Sequence, residues 1–512
     1  MVKKTGMAAG LIILLLALVA VAGAGMARQS AMQGAQPSGP SGNTGSQAAD
    51  VAQNAPAETT AANGIVTGYS IKNDVSLPLR DIPARPVTDA PNVLQVPREF
   101  PSIVTGSHKD APDQVVQSSF GALGSAAMPG AGTSFQGIGN SADGLGGCAC
   151  IPPDTNADVG STQIVETVNS AFAVYNKTGG TLLSPRNINT IWAGFGGACE
   201  TRNDGDPVVA WDPMASRWLV SQFTSAKPYN ECIAISKTAD ATGAWNRYAF
   251  QLSTSDFPDY PHFGVWPDGY YMSVNWFIRA QRYGGPRPYV FDRAKMLAGL
   301  PATFQTTSAA LGSGQSPIHP TDLDGTAQPP AGAPNAFFGF GSPMKVFKFH
   351  VDWANPANTT WTNTQSLATA GFTQQSAGIP QQGTTQTLDA LGDRLMNRVA
   401  YRNFGTHESW VLNHAADAGT PAGVRWYELR GPSTGTLNIY QQSTYAGDNP
   451  GDTTSRWMAG IAQDKQGNIA IGYSASSSSV YPGIRYAGRL AGDPINKMAQ
   501  GEAVLLTGTG YQ

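Results

Sequence analysis

An all-β fold built from repeated four-stranded units, a β-propeller, is what the 512-residue sequence predicts, and three observations predict it. First, only 13% of residues are charged while 59 are Gly and 36 Pro, against about 25% charged residues in an ordinary globular chain. Exposed helix, where Glu and Lys accumulate, is therefore scarce, and turns are many. Second, beyond Cys150 short β-branched and aromatic runs alternate with turn clusters, the pattern of short strands. Third, these runs recur: Asp154, Asp212, Asp268, Asp322, Asn403 and Asp464 each precede one, at intervals of 58, 56, 54, 81 and 61 residues. A unit near 57 residues, stretched once by a Gln/Thr/Gly-rich insertion around Thr364 to Thr387, thus appears six times.

Each unit divides into four strands. In the second they are 207–211, 218–223, 232–237 and 247–251; in the fifth, 398–402, 409–413, 424–429 and 437–442. Four-stranded units arranged around an axis give six blades, with seven if the segment before Cys150 supplies another. A β-sandwich of repeated hairpins is the competing architecture, but it does not require so constant a period.

The chain before the repeats divides further. Lys3 and Lys4 precede an apolar run from Met7 to Val21 and then small residues through Ala27, the form of a secretory signal with Ala22-Gly23-Ala24 as a cleavage site. Uncleaved, residues 7 to 27 would span roughly 31 Å, enough for an N-terminal membrane anchor. In either case the remainder is expected to be exported, secreted or periplasmic. Residues 28–63 are polar and low in complexity, a flexible linker. Residues 64–147 read as an extended irregular arm lying on the main domain, 148–512, because Pro keeps interrupting the apolar content. In an exported chain the four cysteines, Cys148, Cys150, Cys199 and Cys232, argue for disulfides. Cys199 and Cys232 lie in successive stretches of the repeat region and are expected to pair. Spacing of the CxxC type with His partners, which would mark a metal site, is absent.

In a propeller, the loops entering each first strand and those joining the second and third strands surround the central funnel, where ligands bind. This places Asp204, Asp206, Asp259, Tyr260, His262, Arg394 and Arg456 on one face, with Asn169, Phe223, Trp276, Arg279, His414 and Tyr481, and Arg485 on the following strand. Aromatic platforms with Asp, Asn and Arg suit a glycan. Hydrolysis needs two carboxyl groups, for which Asp206 and Asp259 are the candidates. A lyase acting on a uronate needs a cation and a base, for which Arg394, Arg456 or Arg485 with His262 or Tyr481 would serve. Trp276, Arg279, His414 and Asp204 are further candidate ligand contacts. Each of these side chains also has a structural use, in blade packing or turn capping.

Asp154, Asn156 and Asp158 have the alternate spacing that presents oxygen ligands to calcium, without the Gly and Glu of a full loop. A structural calcium is thus the one metal the sequence invites, and no cofactor is required. With Lys plus Arg at 32 against Asp plus Glu at 35 and no basic run past the N-terminus, nucleic acid is not an expected partner. The expected partner is a glycan or other extracellular ligand, met by a monomer, with a membrane touched only through an uncleaved N-terminal segment. No nucleophile elbow, Walker loop, zinc-protease motif or dinucleotide fingerprint occurs.

Pro152-Pro-Asp-Thr-Asn156, Asn203-Asp-Gly-Asp-Pro207, Phe263-Gly-Val-Trp-Pro-Asp-Gly-Tyr-Tyr271, Arg425-Trp-Tyr-Glu-Leu-Arg430 and Ile484-Arg-Tyr-Ala-Gly-Arg489 resemble blocks of exported bacterial propeller-like proteins, a group that mostly lacks an assigned activity. The resemblance covers roughly residues 150 to 495 and implies the fold and export, with no substrate. A looser similarity connects the sequence to sialidase-type and other glycan-active propellers, although the S-x-D-x-G-x-x-W boxes of a sialidase are absent. These features lead to a propeller that binds, and as an enzyme would cleave, a glycan at its funnel, with a non-catalytic extracellular scaffold as the alternative.

Overall fold

The computed structural model describes residues 57–83, 112–117, 128–139, 153–419, 421–449 and 451–512. The N-terminal segment, most of the linker, and Cys148 and Cys150 lie outside the described residues. Among the described residues no helix is long and apolar enough to cross a membrane.

The repeat region folds as six antiparallel four-stranded meanders, giving an all-β propeller. The first runs through Asn156–Val159, Gln163–Val168, Ala171–Asn176 and Thr181–Asn187. The second uses Val208–Asp212, Arg217–Phe223, Tyr229–Ser236 and Trp245–Ser253. The third uses Phe257–Trp266, Gly269–Ile278, Arg282–Phe291 and Thr303–Thr307. The fourth comprises Ile318–Leu323, Asn335–Gly339, Met344–His350 and Thr360–Leu367. The fifth comprises Val399–Asn403, Glu408–Asp417, Ala422–Arg430 and Asn438–Tyr445. The sixth closes the order with Ser455–Gln463, Ile469–Ser477, Val480–Arg489 and Glu502–Leu506. The first strand of each meander is the innermost, and those of the fourth and fifth pair in parallel through Thr321–Leu323 and Val399–Tyr401.

These strands form because their residues are apolar on both faces, so each sheet needs a neighbour on either side. Val165, Phe172 and Val174 of the first meander meet Val209, Trp218 and Val220 of the second. Leu219, Ile233 and Phe250 on the other face of the second meet Val265, Met272 and Phe291 of the third. A larger layer joins the third, fourth and fifth meanders around Trp266, Phe337 and Trp410, and Val411 and Trp426 of the fifth meet Ile461 and Ile471 of the sixth. Each such fully buried side chain contributes roughly 1.5–3 kcal/mol relative to exposure.

One register differs from the expectation. Asp212 and Asp464 stand at or just beyond the end of their innermost strands, whereas Asp154 precedes its innermost strand. The corresponding turn of the first meander is Gly160-Ser161-Thr162, which has no carboxylate. Asp154 is instead equivalent to Asp206, before the innermost strand of the second meander.

The arm also contains a regular element. Ile65–Val75 is a strand whose first half pairs with Thr303–Thr307 and whose second half pairs with Asn246–Phe250, so it joins the outer edges of the third and second meanders. Gly68 lies on the Phe304 ring, where an added Cβ would come within 2.2 Å of Cζ. The expected Cys199–Cys232 disulfide is present, with Cα atoms 5.8 Å apart. It ties the short helix Gly197–Thr201 to the third strand of the second meander. Its 33-residue separation corresponds to about 3–4 kcal/mol of stabilisation through the unfolded chain. Replacing both cysteines by Ser is therefore expected to lower the unfolding free energy by about that amount, read by denaturant titration against the reduced wild type, which should lose the same.

Candidate functional site

The innermost strands of the first two meanders are preceded by unusual backbone, and that of the third carries it at a bulge. Asp154, Asp206 and Tyr260 have φ of 41°, 46° and 58°, the left-handed region that costs a non-Gly residue roughly 1–2 kcal/mol. The three turns bring Asp154, Asp206 and Asp259 into one electrostatic cluster on the funnel. Asn169 links the first two: its Nδ2 donates to Asp154 Oδ2 at 2.9 Å, and its Oδ1 accepts the Asp206 backbone N–H at 3.1 Å. Gly205, with φ 106°, passes so close to Asn169 that a Cβ would lie 1.9 Å from Oδ1.

The two carboxyl groups face each other closely enough for one proton to bridge them. Burial pushes Asp154 up to about 7, with the charge of Asp259 adding to the rise and the bond from Asp206 opposing it. Asp206 is pushed well up, first by burial and then by the charges of Asp154 and Asp259, while the Tyr260 backbone N–H opposes this in part. Two carboxyl groups in contact and poor in water cannot both ionise cheaply, so one proton stays on the pair.

Tyr260 and Arg394 form the adjoining wall. Arg394 holds both oxygens of Asp393, through Nε at 2.6 Å and Nη2 at 3.1 Å. Its guanidinium carbon lies 5.2 Å from the centre of the Tyr260 ring, and it is hydrogen-bonded to the Tyr260 phenol. Burial pushes that phenol up to about 12 despite the nearby cation. Beyond Tyr260, whose ring stands edge-on to His262 at 4.2 Å, the His262 and His319 rings stack with centroids 4.2 Å apart. Burial, and secondarily Arg394, drives His262 down to about 3, and burial and His262 drive His319 down as well, so both imidazoles are neutral.

Further along the channel the polar groups bind protein rather than space. Asn156 Oδ1 accepts the Val209 N–H at 2.9 Å and Asp158 Oδ2 the Trp211 N–H at 2.7 Å, sewing the first innermost strand to the second. Asp322 Oδ1 accepts the Val265 N–H at 2.8 Å, and Arg398 donates to Asp322 and Asp324 at 2.7 and 2.6 Å. The residues proposed from spacing as calcium ligands are thus divided, with Asp154 in the carboxyl cluster and Asn156 and Asp158 in the rungs. Among the described residues no three His, Cys, Asp or Glu side chains are grouped to hold a metal ion.

Of the expected site residues, the structure gathers Asp206, Asp259, His262 and Arg394 with Asp154, which was expected as a calcium ligand. It places the others elsewhere. Asp204 caps Ser225, accepting its N–H at 2.7 Å and its hydroxyl at 2.9 Å. Trp276 donates to Asp256 at 3.0 Å and lies under Arg287, while the exposed Arg279 donates its backbone N–H to the same Asp256. His414 is a packing histidine between Phe340 and Phe372, hydrogen-bonded to the Ala415 carbonyl and the Tyr427 hydroxyl. Arg456 is buried and bound to Glu502, Asp452 and two carbonyls, and Arg485 donates to the same Glu502 at 2.6 Å. Tyr481 packs against Gly383 of the insertion.

His319, which sequence reasoning missed, is 1% exposed and neither of its ring nitrogens meets a hydrogen-bond partner among the described residues. Only an alignment of the third and fourth innermost strands would have set it beside His262.

No family model and no curated protein matches the chain. Among solved structures, the chain is similar to a subtype N10 neuraminidase-like protein of A/little yellow-shouldered bat/Guatemala/060/2010, at 8% identity over 65% of this chain and 93% of that one, with a TM-score of 0.34. An endo-arabinase from Bacteroides thetaiotaomicron follows at 14% identity, 55% and 92% coverage and a TM-score of 0.28. An α-L-arabinanase of Penicillium chrysogenum has 10% identity, 67% and 95% coverage and a TM-score of 0.33. Values this low assign neither a family nor a residue role.

The carboxyl pair has a consequence for stability. In the unfolded chain both groups ionise near pH 4, whereas in the folded chain Asp154 is pushed up to about 7 and Asp206 well above its ordinary value. Folded-state pKa values above the unfolded ones favour folding at acid pH, and that advantage is lost as pH rises from about 4 through about 7. Asp206→Asn is therefore expected to flatten the fall, with stability above wild type at about pH 8 and equal to it at about pH 3.5, read by denaturant midpoints across pH.

Proposed function

We propose that the protein is an exported propeller that binds a glycan at its funnel and hydrolyses a glycosidic bond there. The observation that carries this reading is the facing Asp206–Asp154 carboxyl pair beside a third carboxyl, Asp259, where burial and mutual charge push both members up, Asp154 to about 7. Asp206 is suited to protonate the leaving oxygen and is left as the carboxylate, with Asp154 as the neighbour that holds that proton on Asp206 beforehand, and Asp259 to act as base, taking a proton from the attacking water, or as nucleophile. Tyr260 supplies an aromatic wall and a hydroxyl for the sugar.

Hydrolysis is favoured over elimination from a uronate. A lyase needs a cation for the substrate carboxylate, but Arg394, Arg456 and Arg485 are each bound to a carboxylate of the protein. The two neutral imidazoles are likewise poor partners for an acidic sugar.

The test is a panel of polysaccharides scored for new reducing ends and for unsaturated uronate absorbance. Reducing ends without that absorbance are expected. Asp206→Asn and Asp259→Asn should each lower kcat by about 10²–10⁴, whereas Asp204→Ala should leave it within about twofold, as expected of a surface change. Release of unsaturated product, or equal turnover by Asp206→Asn, contradicts the reading.

A further inference from the structure

Every interface between consecutive meanders from the first to the sixth is a direct apolar layer. The one remaining interface, between the sixth and the first, is built differently. The outward face of the first meander, Ile164, Val168, Ala173 and Tyr175, forms a cluster with Ile138 and with Phe135 of the arm, and no residue of the sixth meander belongs to it. On the sixth meander, Ile469, Ile471 and Tyr473 face the fifth. The alternate positions, Ala470, Gly472 and Ser474, offer only small side chains to the other side. No strand of the sixth meander is hydrogen-bonded to a strand of the first among the described residues.

Residues 128–139 run continuously across this place. At one end Met128 lies on Gly488, where a Cβ would come within 2.9 Å of its sulfur, and the Tyr486 hydroxyl donates to the Pro129 carbonyl at 2.6 Å. At the other end Phe135 packs on Gly179 and on Tyr175, ring centres 5.3 Å apart. The Ile138 N–H donates to Glu166 at 2.9 Å, and Ile138 is 2% exposed. Gly137 sits so close to the Glu166 carboxylate that a Cβ would approach it to 2.2 Å.

We propose that Met128–Ile138 is the wedge that closes the ring, filling the seam between the sixth and first meanders in place of a shared strand or a direct blade contact. A seam held by a separately threaded segment opens without unfolding either blade. The segment therefore governs the ring rather than a single sheet, and Asp154, at the head of the first innermost strand, moves with it.

The test is hydrogen–deuterium exchange of the full chain carrying Phe135→Ala with Ile138→Ala. The wedge predicts exchange faster by about tenfold in 163–176 and 469–489, with 217–236 and 335–350 unchanged. Unchanged exchange at the seam, or an equal rise in all four regions, overturns it. Should the double variant fail to fold, the single Phe135→Ala is read the same way, with the same two overturning results.

Discussion

Sheets that are apolar on both faces set the terms of this structure. A four-stranded meander such as Arg217–Phe223 with its neighbours buries Val220 on one side and Leu219 on the other, so it is stable only between two other sheets. Arranging the six meanders about an axis satisfies five interfaces with blade against blade. The arm serves the exceptions: its strand Ile65–Val75 covers the outer edges of the second and third meanders, where unpaired backbone would otherwise be exposed. Asp113 reaches Arg425 at 2.9 Å, both almost fully buried, anchoring the arm on the fifth meander with a pair whose loss would leave a buried charge.

The same geometry concentrates polar groups at the hub. Innermost strands have a channel on one edge, and there the chain places Asp, Asn, Arg and His rather than apolar residues. Those further along are spent on holding strands together, as Asn156, Asp158, Asp322 and Arg398 show. At the entry, three left-handed residues and a crowded glycine bring carboxyl groups together at an energetic cost. Strain and like charge gathered in one place are the features on which the proposed site rests.

Much of this was legible in the residues themselves. The period near 57 residues exposed the six units because each hairpin needs its own turn residues, and the proximity of Asp206, Asp259, His262 and Arg394 was legible because entry loops are identifiable once strands are assigned. Other features depend on contacts that no spacing encodes. Arg456 and Arg485 look like funnel cations until Glu502, in the last strand, is seen to take both. His414 resembles a ligand contact, but aromatic packing from the fourth blade and the insertion encloses it. The Asp154 spacing suggested metal ligands because alternate residues share a face, yet that face meets backbone N–H groups of the next blade. The arm strand was missed because its two halves pair with different blades, which leaves no single alternation to detect.

The central claim is that Asp154 and Asp206 share a proton at neutral pH. Its most direct test is a titration of the side-chain carboxyl carbons by ¹³C NMR in the selectively labelled full chain. The account predicts that Asp154 titrates near pH 7 and Asp206 well above the usual carboxylate range, with Asp259→Asn lowering both. If both carbons instead titrate together near pH 4, the pair holds no proton to transfer and the proposed chemistry fails.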